Sequence, residues 1–438
     1  MQSIRGRQMS YVKSCRSRAL SAAPAVARGN AARSPRHRVV SASLSRRPED
    51  DGLGGKLLMN SVDDEASNAL ATGIAKFKPI SRKSLRMGLP SKGRMAEDTM
   101  DLLKDCALSV YKPNPRQYVA RIPQIPGLEV WFQRASDVVR KLRYGDIDLG
   151  IVGTDMFAEL TDGDPDLVVC HEALGFGQCH LGLGIPMAGK FADINNVEQL
   201  RDMPDWTPET PLRVVTGYHN IARRFFMQHG FKHVVLLSAD GALEAAPAMG
   251  SADIILDLVS TGVTLRENNL KEIEGGNILE SQGILVANRK SLLGRPELLE
   301  IVHELIERFD GHLKAEQYYS VIANMRGESP EQVADLLLQA PGLQGLQGPT
   351  ICNVYNRSPD AQNAKQHFYA ATICVRKKQL YSAVKALQKL GGSGVLVQPM
   401  TYIFDEEPER WTKLLISLGL DPANYDGNGN GNSSGAAH

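Results

Sequence analysis

The residues best placed to do chemistry lie in one short stretch, Ala252-Asp-Ile-Ile-Leu-Asp257-Leu-Val-Ser260-Thr-Gly-Val-Thr264-Leu. An apolar run carries Asp257 to its end, and a Ser-Thr-Gly-x-Thr turn follows at once. Gly262 lets the main chain turn sharply and approach a ligand closely. Successive N–H groups in such a turn, with a helix start behind them, form an anion nest. The hydroxyls of Ser260, Thr261 and Thr264 add donors, and Val263 contributes its N–H. Asp253 and Asp257 are candidates to accept hydrogen bonds from a vicinal diol. A phosphate beside a diol is one end of a ribose 5-phosphate. A Ser-Thr-Gly turn alone is ordinary loop structure. The apolar run, the acid and the turn in one order are rarer, but the spacing does not choose a second substrate.

Other candidates lie apart from this turn. Lys92 and Arg94 stand on a Gly-containing loop, Gly88–Arg94, after the apolar run Leu85–Leu89. They are either a solvated basic turn or a site for phosphate charge. Asp155 follows Gly153-Thr154 at the end of the run Ile147–Val152, where it either faces a ligand or caps the next helix. Glu244, shortly before Pro247, is either a helix-start carboxylate or a charge beside a ligand. Arg134 is an exposed helix charge or an anion contact.

These residues need elements to hold them. From Leu85 onward short apolar runs alternate with amphipathic stretches, the pattern of parallel α/β layers. Strands are predicted at Leu85–Leu89, Ile147–Val152, Leu212–Val215, His233–Leu237, Ala252–Leu258 and Gly283–Ala287. Helices are predicted at Met95–Cys106, Arg134–Arg143 and Asn220–Gln228. Leu174-Gly-Phe-Gly177 and Glu272–Gly276 are read as crossings between two lobes, with a ligand cleft between them. Lobe I is assigned to 82–175 with a return segment at 274–312, and lobe II to 176–273. After about residue 315 the order becomes β-α-β-β-α-β, the ferredoxin-like split motif, over 315–405. There Ser329-Pro-Glu-Gln332 is a capping box. Gly391 and Gly392 end a helix, and Gly394 follows in the same loop.

The ends differ from this body. Before Glu49 there is no acid, while Arg and Lys occur eleven times among many Ser and Ala. That composition is the signature of an organelle transit peptide over 1–48, favoured over a basic disordered arm by the interspersed Ser and Ala, with 49–81 as a linker. The formal net charge is +1 for all 438 residues, so the remainder is acidic. An acidic body lacks the basic face that a nucleic-acid backbone requires, and no stretch approaches the roughly 18 apolar residues of a membrane helix. The six cysteines form no CxxC pair, which argues against a zinc ribbon. The Gly-Asn tail 424–438 has the composition of a disordered segment.

Asp-Leu-Val-Ser-Thr-Gly-x-Thr-Leu, from Asp257, with Glu-Asn shortly after, resembles the ATP phosphoribosyltransferase family. Gly88–Arg94, Gly145-Asp-Ile-Asp-Leu-Gly-Ile-Val-Gly153, Leu174–Leu181, Glu244-Ala-Ala-Pro247 and Glu280-Ser-Gln282 are similar to family segments as well. Asn-Met-Arg-Gly and Leu-Gln-Gly-Pro-Thr resemble plant and algal members, which implies the chloroplast stroma. The resemblance covers about 82–405 and matches the long form. It implies a two-lobed, periplasmic-binding-protein-like (type II) α/β catalytic part and a C-terminal ferredoxin-like (ACT-like) regulatory domain. It implies that N1 of the ATP adenine attacks C1 of 5-phosphoribosyl 1-diphosphate and that diphosphate leaves. Ser260–Thr264 would hold the donor phosphate, Asp253 and Asp257 the ribose, and Glu244 and Asp257 the developing cation. Lys92, Arg94, Arg134 and Asp155 would serve ATP or pyrophosphate. Mg²⁺ would be held largely by substrate, its protein ligands being unassigned. Histidine would bind the C-terminal domain as inhibitor, with Thr350, Gly391, Gly392 and Gly394 as contacts, and the chain would assemble as a dimer or hexamer. Two other readings fit parts of the pattern. A transferase acting on another base usually carries two consecutive acids where this chain has Asp257-Leu258. A solute receptor needs no phosphate nest.

Overall fold

A computed structural model describes residues 82–239, 241–355 and 367–425. The leader 1–48, the linker 49–81 and residues 426–438 of the tail lie outside the described residues. Asn424 closes a short 3-10 turn, Pro422–Asn424, so the described chain extends into the stretch assigned to the tail.

Lobe I is built on β1 (Leu85–Pro90), β2 (Val119–Arg121), β3 (Leu128–Gln133), β4 (Leu149–Gly153) and β5 (Leu167–His171). Lobe II contains β6 (Cys179–Pro186), β7 (Leu212–Thr216), β8 (Val234–Ser238), β9 (Ile254–Val259), β10 (Leu270–Lys271) and β11 (Asn277–Ser281). The chain then returns to lobe I as β12 (Gly283–Asn288). The first sheet has the order β2-β3-β1-β4-β12-β5, and the second β10-β6-β9-β7-β8 with β11 on β6. In lobe I, β1 is parallel to β3 and β4, while β12 runs antiparallel between β4 and β5. In lobe II, β9 is parallel to β7 and antiparallel to β6.

The chain passes from β5 in the first sheet to β6 in the second through Leu174–Gly177. The return differs. Residues 277–281 still pair with β6, so the second crossing falls at Gln282 and not near 274. All the β11 residues but Ile278, which sits at a bulge, find ladder partners on β6 before β12 joins β4.

Strands β4 and β12 are buried along their whole length, as expected of strands covered on both faces. Gly88 and Gly150 are register partners on β1 and β4. A Cβ on either would stand 2.9 or 2.7 Å from Val138 Cγ1, so their absence of side chain lets helix Ala135–Tyr144 press onto the sheet. On the other face lie helix Arg94–Asp105 and the long helix Pro296–Ala315, which buries Leu298, Val302, Leu305 and Phe309.

The C-terminal sheet consists of β13 (Tyr318–Gly327), β14 (Thr350–Val354), β15 (His367–Arg376) and β16 (Ser393–Pro399). Its antiparallel order β14-β15-β13-β16, with helices Pro330–Gln339 and Leu380–Lys389, is the ferredoxin-like arrangement. After β16 the chain passes back to lobe I. Helix Glu409–Leu418 places Trp411, Leu414, Leu415 and Leu418 in the lobe I core. Sequence reasoning did not assign this helix.

Candidate active site

Strand β9 is the spine of the site. It delivers Asp257 near its C-terminal end, where Gly182 of β6 is its register partner. The chain then turns through Ser260–Gly262 into the short helix Val263–Glu267. Gly262 adopts φ 66°, ψ 4°, a conformation that costs other L-residues energy. Among the described residues, the N–H groups of Thr261, Gly262 and Thr264 have no protein hydrogen-bond partner, and Val263 N–H only a long contact of 3.5 Å to Thr261 Oγ1. Arg266 fixes the turn from behind, its guanidinium donating to the Thr261 carbonyl at 3.2 Å. In a trans peptide the C=O and N–H oppose each other, so this bond directs the Gly262 N–H away from Arg266.

The turn lines a cavity of about 410 Å³. Asp257 and Glu244 also face it from lobe II, Gly177–Cys179 from the crossing, and Arg94 and Asp98 from lobe I. Glu244 sits in a 3-10 turn, Leu243–Ala245, entered through Ala242 in the left-handed region. Burial raises the pKa of Asp257; the Leu258 N–H, donating to it at 2.8 Å, opposes that, and the nearby Glu244 and Asp155 carboxylates raise it further. The pair therefore concentrates negative charge that a cation would relieve. Cys179, also on this cavity, has its thiol pKa raised by burial and by Asp155.

The structure brings together Glu244, Asp257, Ser260–Thr264 and Arg94. Other predicted residues stand elsewhere. Asp253 precedes β9, at the opposite end of the strand from the turn. Its carboxylate accepts from the Arg213 N–H at 2.9 Å and from the Arg213 guanidinium at 3.1 and 3.2 Å, with Lys190 Nζ 3.8 Å away. Burial opposes its ionisation, but the bonds to Arg213 outweigh that and hold its pKa below the usual range. A ribose in the 410 Å³ cavity is out of its reach, and Asp253 is a lobe II structural residue.

Lys92 is exposed and opens onto a second hollow of about 850 Å³ on lobe I, beside Lys112, Arg116 and Tyr118. Arg134 is exposed at the C-terminal end of β3 and lines neither hollow; its carbonyl caps helix Ala135–Tyr144 by accepting from Asp137 and Val138 N–H at 2.9 and 3.0 Å. Asp155 is buried, with 7% of its surface exposed. One oxygen accepts from the Ser281 hydroxyl at 2.7 Å and the other from the Tyr218 hydroxyl at 2.8 Å. Burial and the Asp155 charge raise the Tyr218 pKa, which keeps its hydroxyl a donor.

In the C-terminal domain Thr350 begins β14 at one edge of the sheet, whereas Gly394 lies on β16 at the other. Three strand spacings, about 14 Å, separate them. Gly391 and Gly392 close helix Leu380–Lys389, their N–H groups donating to Gln388 and Leu387 carbonyls. One chain does not bring Thr350 and the glycines to a common point.

Sequence reasoning missed Cys179, Tyr218 and Glu159. The only signal was Ser281, the buried partner of Asp155, within the Glu280-Ser-Gln282 segment. Among the described residues no group of three or more His, Cys, Asp and Glu side chains is spaced to hold a metal ion.

Residues 134–311 match the model of a family described as ATP phosphoribosyltransferase, and 315–402 match that of the HisG C-terminal domain. ATP phosphoribosyltransferase 2, chloroplastic, of Arabidopsis thaliana is 53% identical over 365 residues, covering 83% of this chain and 88% of its own. ATP phosphoribosyltransferase 1, chloroplastic, of the same plant is 57% identical over 343 residues, covering 78% and 82%. An ATP phosphoribosyltransferase of Brucella melitensis is 38% identical over 217 residues, covering 48% of this chain and 93% of its own.

Proposed function

The chain belongs to the ATP phosphoribosyltransferase family, and from that premise we propose how its cleft performs the transfer. The enzyme is a pentosyltransferase that catalyses the first step of histidine biosynthesis, joining ATP to 5-phosphoribosyl 1-diphosphate. It acts in the chloroplast, like its Arabidopsis relatives. N1 of adenine attacks C1 of the donor, the C1–O bond to diphosphate breaks, and its electron pair departs with diphosphate. ATP supplies the nucleophile, so the protein's work is positioning and charge stabilisation.

The observation that carries the reading is the set of unpartnered N–H groups at Thr261, Gly262 and Thr264, beside Asp257 and across one cavity from Arg94. The turn receives the 5′-phosphate. Asp257 accepts from the ribose hydroxyls. As C1 becomes cationic, the Asp257 and Glu244 carboxylates stabilise it, while Arg94 balances charge on the departing diphosphate. Lys92, on the same loop, serves the ATP phosphates, and Arg134 adds a positive charge along that strand edge. Asp155 contributes mainly by holding the cleft floor.

The reaction uses a metal ion. Asp257 and Glu244, the carboxylates that face the cavity, would hold a hard divalent cation such as Mg²⁺, which would neutralise leaving-group charge. The C-terminal domain binds histidine as inhibitor. Because Thr350 and the Gly391–Gly394 loop occupy opposite sheet edges, a site using both requires a second copy, in keeping with a dimer or hexamer.

The test is diphosphate release by the full chain with donor, Mg²⁺ and either ATP, orotate or a free purine, with and without histidine. ATP alone should support release, and histidine should suppress it. Release with another base, or donor binding with no turnover on ATP, refutes the assignment.

A further inference from the structure

The lobes are joined by more than the two chain crossings. Helix Thr154–Thr161 belongs to lobe I and helix His219–Gln228 to lobe II. Glu159, on the first, has only 5% of its surface exposed. Its carboxylate accepts from the Asn220 N–H at 2.9 and 3.1 Å and from the Ile221 N–H at 3.0 Å. The Asn220 side-chain amide donates back to the Glu159 carbonyl at 3.0 Å. The second helix has no side-chain cap from its own N-cap residue, Tyr218. It takes its cap from the other lobe. A helix N-terminus presents free N–H groups and partial positive charge, so a buried carboxylate there makes charge-assisted bonds sheltered from water. The same two helices meet again where Arg224 reaches the Asp162 carboxylate and the Ala158 carbonyl.

Both helices start directly at strand ends that lead to the cleft. Helix Thr154–Thr161 continues β4, which pairs with β1, and β1 leads to Arg94. Helix His219–Gln228 follows β7, whose Thr216 is the register partner of Leu256, next to Asp257. We propose that Glu159 is a positioning residue for the transfer, fixing the angle between the lobes and so the placement of Arg94 opposite Asp257 and the phosphate turn. The inference rests on the reading that Ser260–Thr264 holds the donor. That turn lies wholly within lobe II and Arg94 meets only the departing diphosphate, so the grip on the donor's 5′-phosphate is separable from lobe alignment.

The experiment compares the full chain with Glu159→Ala and Glu159→Gln. Donor affinity is measured by calorimetry with donor and Mg²⁺, and turnover with both substrates saturating. Misplacement of reacting groups by about 1 Å costs about 10²-fold in rate, so Glu159→Ala should lose kcat on that order while donor affinity holds. Glu159→Gln keeps the shape and one acceptor oxygen, and should recover part of the loss. If Glu159→Ala does not fold, the Gln variant carries the test alone: reduced kcat with intact donor affinity supports the inference. Unchanged kcat in a folded variant overturns it, as does a parallel loss of donor affinity and kcat. Failure of the unaltered chain to bind donor would instead refute the site reading.

Discussion

Gly262→Ala probes the phosphate turn with a single methyl group. The backbone there has φ 66°, and holding an L-residue in that region costs about 1–2 kcal/mol. The new Cβ would lie 3.0 Å from an Arg266 guanidinium nitrogen. That nitrogen ends a flexible side chain and yields readily, so the steric cost itself is small. Moving it endangers the bond to the Thr261 carbonyl, worth about 0.5–1.5 kcal/mol net. The total is about 1.5–3.5 kcal/mol. The turn can either retain this strain or relieve it by reorienting the Thr261–Gly262 peptide. Ser260, Thr261, Val263 and Thr264 are all exposed, so little packing resists reorientation. The strain should therefore appear as weakened donor binding, roughly 10- to 400-fold in donor KM, and hardly at all in thermal stability. Diphosphate release at saturating ATP gives the donor KM, and donor-induced elevation of Tm gives an independent affinity. A folded Gly262→Ala protein with wild-type donor KM would refute the placement of the phosphate on these N–H groups.

Asp257→Asn should abolish turnover yet raise the stability of the ligand-free protein at neutral pH. The folded-state pKa is raised from 3.8, so the unfolded chain loses its proton first and stability falls as pH climbs through the window above 3.8. The Tm advantage of the Asn variant should grow across that window and then level off, and an advantage independent of pH would contradict the burial argument. Arg213→Met, which removes the partner of Asp253, should cost about 1 kcal/mol of stability for a half-exposed ion pair and leave donor KM unchanged; a raised donor KM would return Asp253 to the site. Ending the chain after Tyr402 removes Trp411, Leu414, Leu415 and Leu418 from the lobe I core. At about 1.5–3 kcal/mol each, that loss rivals the whole stability of a domain, so the truncated chain should be insoluble or unfolded, and a soluble protein with normal Tm would show that the helix is dispensable.

The layered architecture was legible because its strands announce themselves. Ile254–Leu256 and Ile284–Ala287 are unbroken apolar runs, and one half of the Ser329 capping box forms as its spacing requires, with the Gln332 N–H donating to Ser329 Oγ at 3.3 Å. There Gln332 reaches back to the Glu328 N–H instead of that of Ser329. Strand β6 was harder to read because Gly182 and Gly184 interrupt its apolar pattern. Those glycines answer to tertiary neighbours: a Cβ on Gly184 would meet Ile255 and Leu265 at 2.8 and 2.9 Å. Helix Glu409–Leu418 carries the right periodicity, but its partners lie about a hundred or more residues earlier in the chain, on helix Pro296–Ala315 and beyond. Glu159 and Tyr218 were invisible for the same reason. Glu159 is an unremarked helix residue, and Tyr218 an unremarked N-cap, until two lobes are docked.

Asp253 and Asp257 show what a sequence motif leaves undetermined. They are four residues apart on one strand, and both precede the same turn. A strand rises about 3.3 Å per residue, so they are separated by about 13 Å along it. That distance decides their chemistry. Asp253 meets Arg213 and Lys190, is ionised easily, and spends its charge on the lobe. Asp257 meets Glu244 and burial, resists ionisation, and holds its charge at a cost until something cationic arrives. The residue under electrostatic stress is the one whose stress a ribosyl cation would relieve in the proposed reaction. Arg94 and the Ser260–Gly262 turn likewise follow the C-terminal ends of β1 and β9, where the main chain leaves the sheet and side chains are free to face a ligand. Position along the strand, more than residue type, therefore separates the acid that can serve the reaction from the acid that holds the fold.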